Sequence, residues 1–229
     1  MNHPLDRPVW QALSTTHAHL ALITPRARRY PADFAPFAAT PDDTAESQAA
    51  ILVLLSPGTG AAFFTIQAPP TPAGLEQVMA ATGHQMLATA IAPPAEGLEI
   101  LSLGPEDVAD MQVLVDLTRP GPFAPRTHEL GQYLGIRNNN GALVAMAGER
   151  FRLTGYTEIS AVCTHPDHRG QSHASRLVAA LAQIILARTE FPFLHVFSNN
   201  APAIALYQSM GFTTRRTMHV TVLRNAASR

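Results

Sequence analysis

A short segment between a predicted strand and a predicted helix has the composition of an anion-binding turn. It reads Arg-Gly-Gln-Ser-His-Ala over residues 169–174 and opens a helix predicted for Gly170–Arg188. The first turn of a helix leaves its backbone N–H groups unpaired, with the positive end of the helix dipole behind them. Arg169 and Arg176 add side chains that donate charge-assisted hydrogen bonds to phosphates. The segment therefore predicts a pyrophosphate site that needs no lysine.

The absence of lysine excludes several enzyme classes. All 16 basic residues of the 229-residue chain are arginine. Pyridoxal-phosphate enzymes, P-loop proteins and protein kinases each need a lysine at a defined place, so none of these classes fits. Cys163 is the single cysteine, which excludes an intramolecular disulfide and a cysteine-rich zinc site. This usage is typical of a reducing compartment, and we expect a cytoplasmic protein.

The charges are unevenly distributed along the chain. The net charge is −1, yet residues 136–229 contain ten arginines against four acids. The near-neutral net charge predicts no nucleic-acid partner. The basic C-terminal part favours either an anionic ligand or a solvated arginine surface. The longest apolar stretch, residues 49–55, is far shorter than the roughly 20 residues that span a bilayer, and the first residues lack a signal pattern. We expect a soluble protein with no membrane partner.

Proline-rich segments divide the chain, and the one at residues 93–94 is the better domain boundary. We expect a smaller α+β N-terminal domain over residues 1–97 and a second domain over residues 98–229. In the first domain the patterns predict helices over Trp10–Leu20 and Leu75–Leu87 and strands over Ala50–Leu55 and Ala61–Gln67. In the second domain they predict strands over Leu98–Leu103, Tyr133–Arg137, Ala142–Phe151, Thr157–Thr164 and Phe193–Phe197, helices over Glu106–Leu117, Thr127–Tyr133, Gly170–Arg188 and Ala201–Met210, and a final strand or hairpin over Thr213–Leu223.

Two segments of the second domain resemble the GNAT superfamily of coenzyme A-dependent N-acyltransferases. Residues 169–174 match the first and last positions of the family's motif [RQ]-x-x-G-x-[GA], with Ser172 where the family has glycine. The family's late-helix pattern is matched by Asn200, Ala203, Leu206, Tyr207, Gly211 and Phe212. The resemblance covers about residues 98–229 and is nearest to the glycine N-acyltransferase-like branch. It implies an α+β fold with a central mixed, mostly antiparallel sheet and flanking helices. Residues 1–97 are expected to form an α+β companion domain, and one possibility for it is a degenerate half of the same fold.

The resemblance implies an N-acetyltransferase that uses acetyl-CoA as its co-substrate and no metal, with direct attack of an amine on the thioester. Glu158, eleven residues before Arg169, is the predicted base, acting through a water, and Glu149 is the reserve candidate. The alternative for Glu158 is a structural pair with an arginine of the neighbouring strand, Arg150 or Arg152. Tyr207 is the predicted proton donor to the departing sulfur, and the alternative is an ordinary core tyrosine.

The same resemblance implies a coenzyme A site along the strand and the helix start. The backbone of Val162, Cys163 and Thr164 pairs with the pantetheine arm, and one of its N–H groups stabilises the oxyanion. The remaining predicted contacts are Arg169, Gly170, Gln171, Ser172, His173, Ala174 and Asn200, the last also fitting a helix N-cap. Because a first-turn position does not demand positive φ, we expect Ser172 to weaken binding rather than abolish it.

The acceptor and the assembly are less constrained. Arg126, His128 and Glu129 follow the first predicted helix of the second domain, where the family has its acceptor pocket, and an arginine there suits a carboxylate-bearing amine such as an amino acid. We expect a monomer or homodimer. The alternative to an enzyme is a non-catalytic coenzyme A sensor or an interaction module of the same fold.

A cysteine nucleophile and a histidine metal site are both disfavoured by the sequence. A Cys163 nucleophile is disfavoured because alternation along the strand places it on the opposite face from Glu158. A metal site at His165, His168 and His173 is disfavoured because two of them lie in a turn and no carboxylate accompanies them.

Overall fold

A computed structural model describes residues 3–226 as an eight-stranded mixed sheet with helices on both faces, together with a small three-stranded sheet. The strands are β1 Leu22–Ile23, β2 Arg28–Arg29, β3 Ala38–Ala39, β4 Gly60–Thr65, β5 Leu75–Leu87, β6 Leu101–Leu103, β7 Tyr133–Arg137, β8 Leu143–Leu153, β9 Tyr156–Thr164, β10 Phe191–Phe197 and β11 Thr213–Asn225. The α-helices are α1 Pro8–Ala12, α2 Ala45–Leu54, α3 Val108–Thr118, α4 His173–Ala187 and α5 Ala201–Ser209. Short 3-10 turns cover Pro4–Asp6, Ala18–Leu20, Pro105–Asp107, Thr127–Leu130 and Pro166–His168.

The large sheet has the order β4-β11-β5-β10-β9-β8-β7-β6. Its neighbouring strands pair antiparallel, except for β9 and β10, which pair parallel. The predicted α+β class and the mostly antiparallel sheet are therefore confirmed. The parallel pair is short, because only residues 156–158 of β9 are in register with residues 191–193 of β10. Beyond that point the two strands separate.

Helix α4 covers one face of the sheet, as the periodicity predicts. Leu177, Leu181 and Ile185 recur every four residues and are fully buried in one cluster with residues of β8 and β9. Burying each of these side chains contributes about 1.5–3 kcal/mol. The other face is covered by α3 and by the first residues of the chain, where Leu5 and Val9 pack with Phe151 of β8. Within residues 3–226, no helix is both long enough and apolar enough to cross a membrane.

Three predictions for the first part of the chain are wrong in type or extent. Residues 75–87 form strand β5 rather than a helix, because β10 and β11 pair along its two edges. The apolar run 50–55 belongs to helix α2 and its C-terminal cap, and the Thr44 hydroxyl caps the start of this helix by accepting from the Ser47 N–H. The helix predicted for residues 10–20 ends at Ala12 and is followed by turns. The strand predicted over 61–67 is confirmed as β4.

The sheet crosses the predicted domain boundary. Residues 213–225 form one uninterrupted strand, β11, and not a hairpin. The place between β10 and β11 is taken by β5, which comes from the first part of the chain. Strands from both sides of residue 97 thus share one sheet, and a division into folding units at residues 1–97 and 98–229 stays a prediction.

A buried histidine makes the fold sensitive to acid. His17 is 3% exposed, its Nδ1 lies 2.9 Å from the Tyr30 hydroxyl, and its Nε2 lies 3.0 Å from the Leu130 carbonyl. Since the carbonyl only accepts, Nε2 carries the proton and Nδ1 accepts from Tyr30, so the neutral ring is fully paired. Burial lowers the pKa of His17 from 6.5 to about 4, against the smaller opposing effect of the Leu130 carbonyl.

The unfolded chain therefore takes up this proton first, and stability is complete above pH 6.5 and falls towards pH 4. We expect the free energy of unfolding to drop by about 3 kcal/mol over that window. Urea titrations at several pH values measure the drop. His17→Gln should remove it, whereas His19→Gln, at a less buried neighbouring histidine, should leave it in place. If the unfolding free energy of His17→Gln still fell between pH 6.5 and pH 4 as in the wild type, the role of His17 would be contradicted.

Candidate active site

A gap between β9 and β10 opens into a large cavity. Pairing between the strands ends at Glu158 and Phe193. From Ile159 to Thr164 the edge of β9 that faces β10 is unpaired, while its other edge pairs with β8. The cavity has a volume of about 1100 Å³ and is lined by residues 159–164 of β9 and residues 195–197 of β10. A free strand edge inside a cavity offers backbone donors and acceptors to an extended ligand.

A β-bulge shapes this edge. Residues 161 and 162 of β9 lie opposite the single residue 147 of β8, and Ala161 has a φ of 52°. The extra residue interrupts the side-chain alternation, so Ile159 and Val162 pack in the α4 cluster while Cys163 packs in the α3 cluster. The prediction that Cys163 and Glu158 lie on opposite faces is therefore wrong, because β9 is not a regular strand here. Burial gives a better argument, because it raises the pKa of the Cys163 thiol to about 11.

The start of α4 forms one wall of the cavity. The first backbone bond into the helix runs from the Arg176 N–H to the Ser172 carbonyl at 3.1 Å, so the N–H groups of residues 173–175 are free of helical partners. Gly170, Ser172, His173 and Ala174 line the cavity here, as predicted for an anion seat, and Arg169 lies beside them. Gln171 is exposed and is not among the lining residues.

Arg176 does not serve the anion seat as predicted. Its Nη1 donates to the carbonyls of Ala95 and Glu96 at 3.4 and 3.2 Å. The side chain therefore ties the proline-rich segment before β6 to the helix, and it does not line the cavity.

Ser172 adopts a conformation that the sequence analysis did not expect. It is the N-cap of α4 with φ 60° and ψ 18°, in the left-handed region, and its side chain makes no capping bond. A non-glycine residue is strained there by about 1–2 kcal/mol. The expectation that this position does not demand positive φ is wrong.

Ser172→Gly should relieve this strain and remove a hydroxymethyl group from the cavity wall. We expect the unfolding free energy to rise by up to about 1 kcal/mol and acetyl-CoA to bind more tightly. Ser175→Gly, three residues later in regular helix, should instead destabilise the fold. Calorimetric titration with acetyl-CoA and urea denaturation of both variants measure the two effects. Unchanged acetyl-CoA affinity in Ser172→Gly would refute a crowded anion seat.

Helix α5 brings a tyrosine to the opposite wall. Asn200 caps this helix by accepting from the Ala203 N–H at 3.3 Å, and both residues line the cavity. Tyr207 also lines the cavity, is 8% exposed and packs against Phe212. Burial raises the pKa of Tyr207 to about 12, so the phenol stays protonated at neutral pH. No hydrogen bond of its hydroxyl is found among the described residues, and Tyr207 lines the cavity, so the proton can reach a ligand there.

Glu158 lies at the closed end of the gap and is locked in place. Its carboxylate accepts from Arg150 Nε at 2.8 Å, from Arg150 Nη2 at 2.7 Å and from His195 Nδ1 at 2.6 Å, and the side chain is fully buried. Burial by itself raises the pKa of Glu158, but the charges and hydrogen bonds of Arg150 and His195 outweigh it and lower the value to about 2. Of the two interpretations of Glu158, the structural pair with Arg150 is the one that the contacts support.

Glu149 is no more available as a base. It is fully buried, Arg188 Nη2 donates to it at 2.6 Å, and Arg152 lies 3.7 Å away. Neither Glu149 nor Glu158 is among the residues that line the cavity.

Arg150 and His195 do line the cavity, and neither was predicted from the sequence. A signal existed for His195, which is the one polar residue in the otherwise apolar strand Phe191–Phe197. Its ring stacks on Phe64 of β4 at 4.3 Å between centroids. The Gln85 amide is oriented by the Leu5 carbonyl and by Arg215, so its remaining N–H points at His195 Nε2, 3.1 Å away. Nδ1 of His195 donates to Glu158.

The predicted acceptor residues lie elsewhere. Arg126 makes a two-point pair with Glu129 at 2.7 and 2.8 Å on the surface, and none of Arg126, His128 and Glu129 is among the lining residues. The preceding part of the same loop, residues 119–122, lines the cavity instead. No group of three or more potential metal ligands is found within residues 3–226.

Comparisons with known proteins agree with this architecture. Residues 133–221 match the family model described as FR47-like protein. A solved structure from Novosphingobium aromaticivorans, a proposed acetyltransferase of the GNAT family, is 36% identical, with a TM-score of 0.91 over 99% of this chain and 100% of that one. A GCN5-related N-acetyltransferase from Kribbella flavida is 16% identical, with a TM-score of 0.60 over 95% and 96% of the two chains. A GNAT-family acetyltransferase from Colwellia psychrerythraea is 15% identical, with a TM-score of 0.52 over 86% and 80%. Comparison with curated proteins yields no match.

Proposed function

The chain belongs to the GNAT family of acetyltransferases, and from this premise we propose that it transfers an acetyl group from acetyl-CoA to the amine of a small molecule or amino acid by direct attack in a ternary complex. The observation that carries the proposal is one cavity bounded by three features. These are the unpaired edge of β9, the free N–H groups at the start of α4, and the Tyr207 hydroxyl. Together they suit an extended thioester with a phosphorylated end.

The two substrates approach the gap from opposite faces of the sheet. Tyr207 and α4 belong to the cluster on one face, while Arg150 stacks against aromatic residues on the other. A thioester bound along Val162, Cys163 and Thr164 would present its carbonyl carbon in the gap, where an amine held from the other face can attack it. A backbone N–H of Val162 or Cys163, near the bulge, would stabilise the oxyanion.

Proton transfer in this proposal uses one side chain and solvent. The ammonium group loses one proton to water in the open cavity, and the resulting amine nitrogen bonds to the carbonyl carbon. The carbon–sulfur bond breaks as Tyr207 donates its proton to sulfur, and the second proton of the nitrogen leaves through solvent and restores the Tyr207 phenol. Glu158 holds Arg150 and His195 and takes no proton, because a carboxylate with three donors and a pKa of about 2 is a weak base. The resemblance to the glycine N-acyltransferase-like branch favours a carboxylate-bearing acceptor. A cytoplasmic location and a monomeric or homodimeric state stay predictions.

Release of free thiol from acetyl-CoA across a panel of amines tests the proposal. Turnover with any amine supports it, and mass spectrometry of the purified protein checks for bound coenzyme A independently of the acceptor. Tight coenzyme A binding without turnover would favour the alternative, a non-catalytic sensor of the same fold.

A further inference from the structure

The charged lining of the cavity is entirely basic. Four arginines line it, namely Arg119, Arg150, Arg169 and Arg224, and among the described lining residues there is no aspartate or glutamate. Arg224 is paired with Glu76 on the surface, and Arg169 lies beside the anion seat at α4. Arg150 differs from the others because it is buried, and it lies next to the gap. A cavity of this kind favours acceptors that carry a negative group over polyamines.

The guanidinium of Arg150 has unused donors. Glu158 takes Nε and Nη2, which leaves the two N–H groups of Nη1 without a partner among the described residues. Nη1 is not among the fully buried unpaired atoms, so this is the end of the guanidinium that reaches the cavity. One N–H of Nη1 and the second N–H of Nη2 are parallel and lie in one fixed plane, so this pair matches the two oxygens of a carboxylate.

A chain of hydrogen bonds fixes the position of the Arg150 guanidinium. Asp6 pairs with Arg215. The Gln85 amide is fixed by Arg215 and by the Leu5 carbonyl, and it in turn fixes the tautomer of His195. His195 then donates to Glu158. Each link has a defined donor and acceptor, so Glu158 and Arg150 have no competing arrangement. The chain positions the free N–H groups without touching a ligand.

Aromatic rings surround these donors. The Arg150 guanidinium carbon lies 4.8 Å from the ring centre of Phe37, 5.7 Å from Phe64 and 4.6 Å from Phe151. Phe37 and Phe64 also line the cavity, together with Ala62 and Val222. This end of the cavity therefore combines a cationic donor with an apolar, aromatic wall of low dielectric, where a charge-assisted bond is stronger than in water.

We propose that Arg150 is the specificity-determining residue for the acceptor and that it binds the carboxylate of an amino acid with an aromatic or large apolar side chain. This inference rests on the proposed acyl transfer and names its acceptor class. The carboxylate accepts from Nη1 and Nη2, the side chain lies against Phe37 and Phe64, and the amine is directed into the gap between β9 and β10.

The test compares three acceptors that differ in one group: phenylalanine, phenylalanine amide and 2-phenylethylamine. Thiol release from acetyl-CoA gives kcat/KM, and calorimetry with coenzyme A present gives affinity without turnover. In the wild type we expect phenylalanine to exceed both others by about 10- to 100-fold, as for a hydrogen bond between charged groups. Arg150→Gln combined with Glu158→Gln, which leaves no unpaired buried charge, should reduce this ratio to about threefold or less. Arg126→Gln, at a surface arginine that is paired with Glu129 and does not line the cavity, should keep it.

The outcomes separate the two proposals. Equal turnover of phenylalanine and its amide by the wild type would overturn the role of Arg150 and leave acyl transfer intact. Carboxylate-dependent binding without any turnover would support Arg150 as the anchor and count against the proposed function. A double variant that keeps the full preference would overturn the anchor directly.

Discussion

Tyr207→Phe is expected to lower kcat by about 100-fold or more and to change the KM for acetyl-CoA little. Tyr207 lines the cavity, no hydrogen bond of its hydroxyl is found in the part of the chain that the structure describes, and burial raises its pKa to about 12, so the wild type has a proton ready for the departing sulfur. Positioned general acids contribute about 10²- to 10⁴-fold. Phenylalanine keeps the ring and its packing against Phe212, so the loss should be confined to the chemical step. Steady-state kinetics with the best acceptor of the panel measure it.

Tyr133→Phe is the matched control for this prediction. Tyr133 is also a buried tyrosine, but within residues 3–226 its hydroxyl has no partner and the residue does not line the cavity. Removing an unpaired buried hydroxyl should leave kcat unchanged and leave stability unchanged or slightly higher. A Tyr207→Phe enzyme with the kcat of the wild type would eliminate Tyr207 as the proton donor and transfer that role to solvent.

The second half of the chain was predicted well because its signals are local. The spacing of Leu177, Leu181 and Ile185 specifies a helix with one buried stripe, and three asparagines followed by Gly141 mark the turn between β7 and β8. Strand β5 illustrates the opposite case. Its residues, Leu75–Leu87, include many good helix formers, and only pairing with β10 and β11, distant in sequence, makes them a strand. No local pattern contains that information.

The same limit applies to the candidate site. The segment at residues 169–174 and Tyr207 could be found from sequence because their motifs are contiguous. The contact between Glu158 and Arg150 depends on irregular pairing, in which residues 150 and 151 of β8 lie opposite residue 158 of β9. A regular alternation does not predict which side chains meet there. His195 reaches the cavity only because β10 separates from β9 after residue 193. Arg126, the predicted acceptor residue, is instead paired with Glu129 on the surface.

Glu158→Gln is expected to cause the largest loss of stability, about 3–5 kcal/mol in the free energy of unfolding. The change leaves the buried Arg150 without its counter-charge and turns an amide N–H towards a donor, and breaking one side of a buried ion pair carries a penalty of this size. Glu129→Gln is the matched control, because the same two-point pair with Arg126 lies on the surface and should contribute far less. Urea denaturation at pH 7 measures both.

The double variant Arg150→Gln with Glu158→Gln distinguishes a structural pair from a catalytic base. Removing both charges should recover part of the stability lost in Glu158→Gln, since the penalty comes from the unpaired partner and not from the missing carboxylate. Because Glu158 has a pKa of about 2, its protonation cannot limit activity near neutral pH. The pH profile of kcat should therefore contain no inflection near neutral pH that is lost when Glu158 is replaced. If Glu158→Gln were as stable as Glu129→Gln but lost its neutral-pH activity, Glu158 would be the base after all, and the locked pair with Arg150 would be the feature that opens during turnover.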